Sequence, residues 1–522
     1  MSTGLSSRRR WLAACGAALL TTAGCGSALN DEELIKANAP SYAGRTGGGD
    51  IDTVPTPIGE SQGAVGEGTS SAASPTPGSG AAPPATESSA ARSSTAAGSS
   101  NQAASRPVLP GQTSTAARRA PSSSGAGPPA GGGGTTNSPS GAAPAPGAPV
   151  PPGAPVKLGQ IATRTGPVGA ALQSGIDATR AWVADVNARG GLAGHPVQLV
   201  ATDDRGDPNQ ALALARQLVE KDGILAFYAS LQVTTLQAIL PYVEQKGIPI
   251  IGSCACSSVG DNSPMVFDVG ATSGKGLVWE HLAAMALTDK KKVGVLYCRE
   301  AASCAYMRDG VVSYQKQLGF QVVYEAQVSL AQPDFTAEVI QARQNGAEIL
   351  VTNVDNASTT RIARAAHRQG YHPVIVTQHG YSEDKVIRDG GQDVEGAFAA
   401  TGVAEWSTAP VMADYREAMK RFVPTGVRGG PGANVWVAGI MLERLAREWS
   451  PQPTTADVVT ALYGLRNETL DGRIPPTAYR PGVGHGDTAV CAVPIAITGG
   501  QFTAPQGPET FVCAPGWQPV RP

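Results

Sequence analysis

The chain of 522 residues is poor in aromatic side chains, at 5% of the total, and has none between Tyr42 and Trp182. Within that gap, in residues 61–150, 75 of 90 positions are Ala, Gly, Pro, Ser or Thr. Such a stretch cannot bury enough apolar surface to offset its ordering entropy, so residues 25–155 read as a disordered tether. Net charge is also nearly absent. With 40 basic and 42 acidic residues the balance is −2, which sets up no field that would draw in polyanions and argues against a nucleic-acid partner. Beyond the N-terminal leader no uninterrupted apolar run reaches about 18 residues, so nothing further is expected to span a membrane. There is no Gly-x-Ser-x-Gly elbow and no His-Glu-x-x-His helix, and the six histidines are scattered. The stretch Gly270 to Gly276, with Gly274-Lys275, is one residue short of a P-loop and lacks a hydroxyl after the lysine, so it reads as a helix start. Asp203, Asp204 and Asp207 end a strand, turn through Gly206 and cap a helix. The expectation is a protein that is not an enzyme, with no catalytic residue, no cofactor and no metal.

What is present begins with an export leader, residues 1–24: basic Arg8, Arg9 and Arg10, an apolar stretch from Trp11 to Leu20, then Thr22-Ala23-Gly24-Cys25. Small residues before a cysteine resemble a bacterial lipobox, which implies that Cys25 carries a lipid and becomes the mature N-terminus; an ordinary signal peptide with an incidental cysteine is the alternative. Ser7 to Leu12 also resembles a twin-arginine signal, leaving the export route open. The lipid would hold the chain on the extracytoplasmic face of the cell membrane. As a flexible coil the tether has an end-to-end distance on the order of 60 Å, extended by its prolines. Glycosylation of this spacer stays open.

From Val156 short apolar runs alternate with helical periodicity. Val156 to Ala162 reads as a strand, followed by a helix whose Leu172, Ile176, Thr179, Val183 and Val186 recur at spacings of four and three. Pro196 to Thr202 is the next strand. Asp207-Pro208 supplies a cap and first-turn proline for a helix burying Ala211, Leu214, Ala215, Leu218 and Val219. Strands at Leu225 to Tyr228 and Pro249 to Gly252 flank a helix at Thr234 to Lys246. A second series follows, with strands at Val293 to Tyr297, Val322 to Val328, Ile349 to Thr352 and Val374 to Thr377. The fold class expected is α/β, two lobes each built on a doubly wound, mostly parallel sheet. The domain is placed at residues 156–510, lobe 1 at 156–275 and 403–465, lobe 2 at 276–402 and 466–513.

Ile161 to Pro167, Asp185-Val-Asn187 leading to Gly190-Gly191-Leu192-Ala-Gly194, and Thr202-Asp203-Asp204 through Asp207-Pro208 resemble the leucine/isoleucine/valine-binding family of periplasmic binding proteins, type I solute receptors of ABC importers. Ala347 to Thr352, Gly370-Tyr371 and Gly432 to Ala438 extend the resemblance, which covers about Val156 to Gln501. It implies a Venus-flytrap that closes on one small solute and presents it, as a monomer, to a membrane permease and its ATPase subunits. A receptor of the same fold reporting to a sensor protein is the alternative.

Four loops are expected to line the cleft, contributing Val168 and Gly169; Gln232, Val233 and Thr234; Ala255, Cys256 and Ser257; and, from the second lobe, Tyr306, Asp355, Asn356, His379, Gly380 and Tyr381. Hydroxyls at helix N-termini suit a carboxylate, while plain N-capping is the bland reading for the same residues. Ala255 and Cys256 sit where the family contacts its ligand. Three departures stand out: the first loop is short and lacks the aromatic that covers the ligand, Val233 replaces a Ser or Thr, and His379 falls where the ammonium-binding glutamate is kept. Together they cast doubt on an α-amino acid and point to a small amino-acid-like, carboxylate or amide-like solute, hydrophobic or aromatic ones included, in preference to leucine, isoleucine or valine, with Asp355 either holding an ammonium or capping its helix. For the exported cysteines the pairings Cys298–Cys304, across a short loop, and Cys491–Cys513, across an apparent hairpin, are expected. Cys254 and Cys256 stay open as a strained pair, free thiols, or partners of Cys298 and Cys304.

Overall fold

The structure, a computed structural model, describes residues 150–516 apart from 167, 254–258, 271–272, 379–381 and 485–489. Two sheets share one strand order. The first is wholly parallel and runs β2-β1-β3-β4-β5, from β1 Val156–Ala162, β2 Val197–Asp203, β3 Ala226–Ser230, β4 Ile250–Ser253 and β5 Val266–Phe267. The second repeats that order in β7-β6-β8-β9-β10, from β6 Lys292–Cys298, β7 Gln321–Val328, β8 Ile349–Asn353, β9 Val374–Val376 and β10 Phe398–Thr401. Antiparallel β11 Cys491–Thr498 and β12 Gln501–Thr503 extend it, and β13 Val512–Cys513 pairs with the start of β11.

Most of the parallel strands feed a helix, as the sequence periodicity requires. In the first lobe these are α1 Gln173–Ala188, α2 Pro208–Gln217 and α3 Leu236–Lys246. Asp207 caps α2 by accepting from the N–H of Asn209 and Gln210, with Pro208 in the first turn. In the second they are α4 Gly274–Met285, α5 Ala302–Ser313, α6 Thr336–Gln344, α7 Asn356–Arg368 and α8 Asp384–Gly390. Ser273 caps α4 through the Gly276 N–H, so the glycine-rich stretch there does open a helix.

Helices α9 Ala413–Phe422 and α10 Gly430–Ala446 return to the first lobe, packing on α1, and α10 also lies against β3 and β4; α11 Thr455–Gly464 packs on α10. Trp182 of α1 and Trp436 of α10 are the largest fully buried side chains among the described residues. Trp182 of α1 meets Tyr228 of β3 at 4.5 Å between ring centroids, and Tyr228 donates its hydroxyl to the Val435 carbonyl at 3.0 Å. Burial pushes the Tyr228 phenol well up, with the Glu443 charge acting the same way. The α1–α10 approach depends on Gly439, where a Cβ would fall 2.4 Å from Trp182 Nε1. A separate apolar cluster, with Ile161, Phe227, Ile239 and Ile250, fills the opposite face under α2 and α3.

The two cysteine pairings read from spacing are both bonded: Cys298 with Cys304, and Cys491 with Cys513. Residues 150–155, placed in the tether by composition, touch the folded part. Val150 donates its N–H to the Pro453 carbonyl at 3.0 Å, and the Ala154 carbonyl lies 2.8 Å from Nδ1 of the buried His195. Among the described residues no helix is long and apolar enough to cross a membrane.

Candidate ligand-binding cleft

In an open sheet of this order the crevice lies beyond the carboxyl ends of the strands on either side of the point where the order reverses. Here those strands are β1 and β3 in one lobe and β6 and β8 in the other. Beneath the first-lobe edge lies a buried polar cluster centred on Asp204. Its Oδ1 accepts from Thr163 Oγ1 at 2.8 Å and from the Gly206 N–H at 2.9 Å, while Oδ2 takes the Thr235 hydroxyl. Gln232 donates to Thr235 Oγ1 at 3.1 Å and is fully buried. It therefore braces the loop from below. Val233 is half-buried against the core and Thr234 is exposed at the entry to α3. Asp203, beside this cluster, has its carboxyl held below the usual range. Burial acts to raise it, but the Thr165 hydroxyl and the N–H groups of Arg205, Arg164 and Thr165 outweigh that effect.

Val168 is half-buried and precedes the single turn Gly169–Leu172. A Cβ at Gly169 would lie 2.4 Å from the Arg164 carbonyl oxygen, so glycine is needed for the loop to fold back on itself. On the second-lobe edge Asp355 caps α7 by accepting the Ser358 N–H at 2.8 Å, the bland role weighed for it. Tyr306, on α5, is half-buried against the second-lobe apolar cluster that includes Trp279 and Met307. Cys298–Cys304 ties the end of β6 to the first turn of α5, fixing the loop between them. Cys25, Ala255, Cys256, Ser257, His379, Gly380 and Tyr381 lie outside the described residues.

Sequence reasoning missed the residue that joins the two edges. Glu383, just before α8, is fully buried. Its Oε1 accepts from Ser174 Oγ in the first turn of α1 at 2.6 Å, and its Oε2 accepts from Asn356 Nδ2 at the start of α7 at 2.7 Å. Lys385 Nζ stands 2.8 Å from Oε2 and also donates to the Ala170 carbonyl at 3.1 Å. Burial pushes the Glu383 carboxyl up, opposed by Lys385, Ser174 and Asn356. Around it, Gly430 donates its N–H to Ser382 Oγ at 3.0 Å, Asp384 donates to the Arg428 carbonyl at 2.9 Å, and Trp406 Nε1 donates to the Ser382 carbonyl at 2.6 Å. A Cβ on Gly429 would fall 2.4 Å from Glu383 Cγ. The adjacent glycines Gly429, just before α10, and Gly430, its first residue, are the sequence signal for this close approach. Asn353, fully buried at the end of β8, has no hydrogen-bond partner for either amide atom among the described residues.

The sequence pattern of the family described as periplasmic binding protein matches residues 155–496. An amino acid binding protein of Pseudomonas aeruginosa is 26% identical over 223 residues, 42% of this chain and 59% of that protein, so the chain spans less than two thirds of that relative. The Leu/Ile/Val-binding protein of Escherichia coli is 22% identical over 329 residues, 61% of this chain and 85% of the other. Among solved structures, a fatty acid ABC transporter substrate-binding protein from Thermomonospora curvata superposes with a TM-score of 0.57 at 20% identity, covering 70% of this chain and 93% of that one. These relatives are solute-binding proteins, and the fold is theirs.

Proposed function

This chain belongs to the periplasmic binding protein family, and from that premise we propose that it is an extracytoplasmic solute-binding lipoprotein of an ABC importer. It captures one small solute between the lobes and presents the closed form to a membrane permease. The observation that carries this reading is the seating of the Ser382–Lys385 segment of the second lobe between α1 and the start of α10 in the first, bridged by Ser174–Glu383 and Lys385–Ala170. Contacts of this kind, made across the mouth between two sheet edges, are what a hinge closure forms. Cys25 at the head of a long spacer supports the lipid anchor, with the domain standing off the membrane.

For the solute we favour a small carboxylate or amide-like molecule over an α-amino acid. The names of the relatives span branched-chain amino acids and a fatty acid, so the fold leaves the solute open. The residues narrow it. Thr234 at the entry to α3 offers an anion a hydroxyl near helix N–H groups, whereas Asp355 is committed to capping α7. Mass spectrometry of small molecules released from the purified protein, followed by calorimetric titration of what is found, tests this reading. Recovery and tight rebinding of leucine, isoleucine or valine would refute the solute class, and failure to bind any small solute would refute the receptor role.

A further inference from the structure

The chain passes between the lobes three times, from β5 to α4, from β10 to α9 and from α11 to β11. These passages lie against one another. A Cβ on Gly270 would fall 2.5 Å from the Gly402 carbonyl oxygen, the Ala404 N–H donates to the Arg473 carbonyl at 2.8 Å, and the Tyr479 hydroxyl donates to the Asp268 carbonyl at 2.6 Å. The third passage holds a turn in an unfavourable conformation. The Gly472 N–H donates to the Thr469 carbonyl at 3.0 Å, and the two residues between them have left-handed φ, +46° at Leu470 and +59° at Asp471. Turns with two such residues favour glycine, asparagine and aspartate, because a Cβ at positive φ crowds the following carbonyl. Leu470 is none of these, and its side chain is buried. Two charged side chains hold it there. Glu468 Oε1 accepts the Leu470 N–H at 2.9 Å, and Glu468 Oε2 accepts from Arg444 Nε of α10 at 2.9 Å. Arg473 donates Nη1 to the Leu470 carbonyl at 3.1 Å and Nη2 to Asp414 of α9 at 2.9 Å. Both polar backbone groups of one strained residue are thus tied, through one ion pair each, to helices of the first lobe. A cavity of about 690 Å³ lined by Leu470, Asp471, Arg444 and Asp414 lies alongside, leaving the turn room to change.

We propose that the Thr469–Gly472 turn is the spring of the hinge, strained and pinned to the first lobe by Arg444 and Asp414 in the lobe arrangement seen here, and relaxed when the lobes part. The inference takes from the solute-binding reading only that the lobes part and close. Strain confined to one of two states shifts the balance toward the other. The turn therefore weights the free protein toward the parted form, and the two ion pairs oppose it.

Hydrogen exchange of the full chain tests this with no solute added, so its outcome is separate from whether a solute binds. Parting of the lobes is read at the Asp384 and Gly430 amides, which bond across the seam to the Arg428 carbonyl and Ser382 Oγ. The Asp471 side chain is 90% exposed, so D471G and D471A lose the same carboxylate and differ in the cost of positive φ. Exchange at both seam amides should be at least about fivefold slower in D471G than in D471A, the low end of what a Cβ costs in a left-handed residue. N467G against N467A, at an exposed residue with φ +49°, takes their place if the Asp471 variants do not fold. Equal rates in the glycine and alanine variants, whatever their urea midpoints, would show that the strain persists when the lobes part and would overturn the proposal. E468Q and D414N, each removing one ion pair, should exchange at least about threefold faster than wild type at the seam; unchanged rates in both overturn it as well. So would wild-type seam amides that exchange as slowly as those of β3, since the lobes would then not part short of unfolding.

Discussion

Ser174 Oγ lies 2.6 Å from Glu383 Oε1, joining the first turn of α1 to the segment before α8 across 209 positions of sequence. The hydroxyl donates to a carboxylate that has no access to water, so its loss cannot be made good by solvation. S174A is expected to weaken the closed form by about 1–3 kcal/mol. Hydrogen exchange at the Asp384 and Gly430 amides, both bonded across the same seam, checks this. Faster exchange there with unchanged exchange in β3 is the expected result; unchanged exchange at both amides would show that the seam does not depend on Ser174.

The α1–α10 interface gives a packing prediction. Gly439 faces Trp182, whose Nε1 donates to Glu443 Oε1 at 3.0 Å, so the indole is fixed from two sides. G439A should cost about 1–3 kcal/mol by overpacking, read as a lower urea midpoint with an unchanged m-value. A neutral result would mean that the indole can retreat despite its bond to Glu443.

The disulfides close loops of different size, with sequence separations of 6 for Cys298–Cys304 and 22 for Cys491–Cys513. On the chain-entropy account the C298S/C304S pair loses about 2 kcal/mol and C491S/C513S about 3 kcal/mol. Chemical unfolding of both double variants should rank them in that order. Beyond stability, C298S/C304S frees the loop at the end of β6 and should weaken solute binding, whereas C491S/C513S, at the far edge of the second sheet, should not.

Much of the fold was legible because strands of parallel sheets are short apolar runs with clear breaks. Val156–Ala162 is read with both ends in place, and the strand read from Val322 begins one residue earlier, at Gln321. The misses have physical causes. Val266–Phe267 is only two residues long, and Phe398–Thr401 is mostly small residues, so neither offers a periodicity to detect. Glu383 was overlooked because nothing local marks it. Its burial is created by Ser174 of α1, Asn356 of α7 and Gly429 before α10, all distant from it in sequence and brought together only by the tertiary fold. Asp207, by contrast, acts through hydrogen bonds two and three residues away, which is why its capping could be read directly.

The tether boundary carries a prediction of its own. Deleting residues 26–149 should leave folding and solute affinity unchanged. Extending the deletion through Pro155 removes the Ala154 carbonyl from the buried His195 ring and the Val150 bond to Pro453, and should cost about 1 kcal/mol per lost bond. Comparing unfolding midpoints of the two shortened chains decides whether these last residues belong to the fold. The anchor at the other end is tested separately: C25A should move the protein from the membrane fraction to the medium, and unchanged fractionation would refute the lipid.

The pH dependence of stability follows from Glu383. Burial raises its carboxyl above the ordinary glutamate value, and Lys385, Ser174 and Asn356 only partly oppose this. A carboxyl with a higher pKa in the native state binds more protons there than in the unfolded chain, so its contribution is greatest below the ordinary value and is lost as pH rises through the raised one. E383Q removes that proton uptake while keeping an acceptor for Ser174. Urea unfolding at a series of pH values from the ordinary glutamate value up to neutrality should therefore show E383Q gaining on wild type as pH rises, then running parallel once the carboxyl is fully ionised in both states. Parallel curves throughout would mean that Lys385 and the two hydrogen bonds cancel the burial, leaving the native carboxyl as acidic as in the unfolded chain.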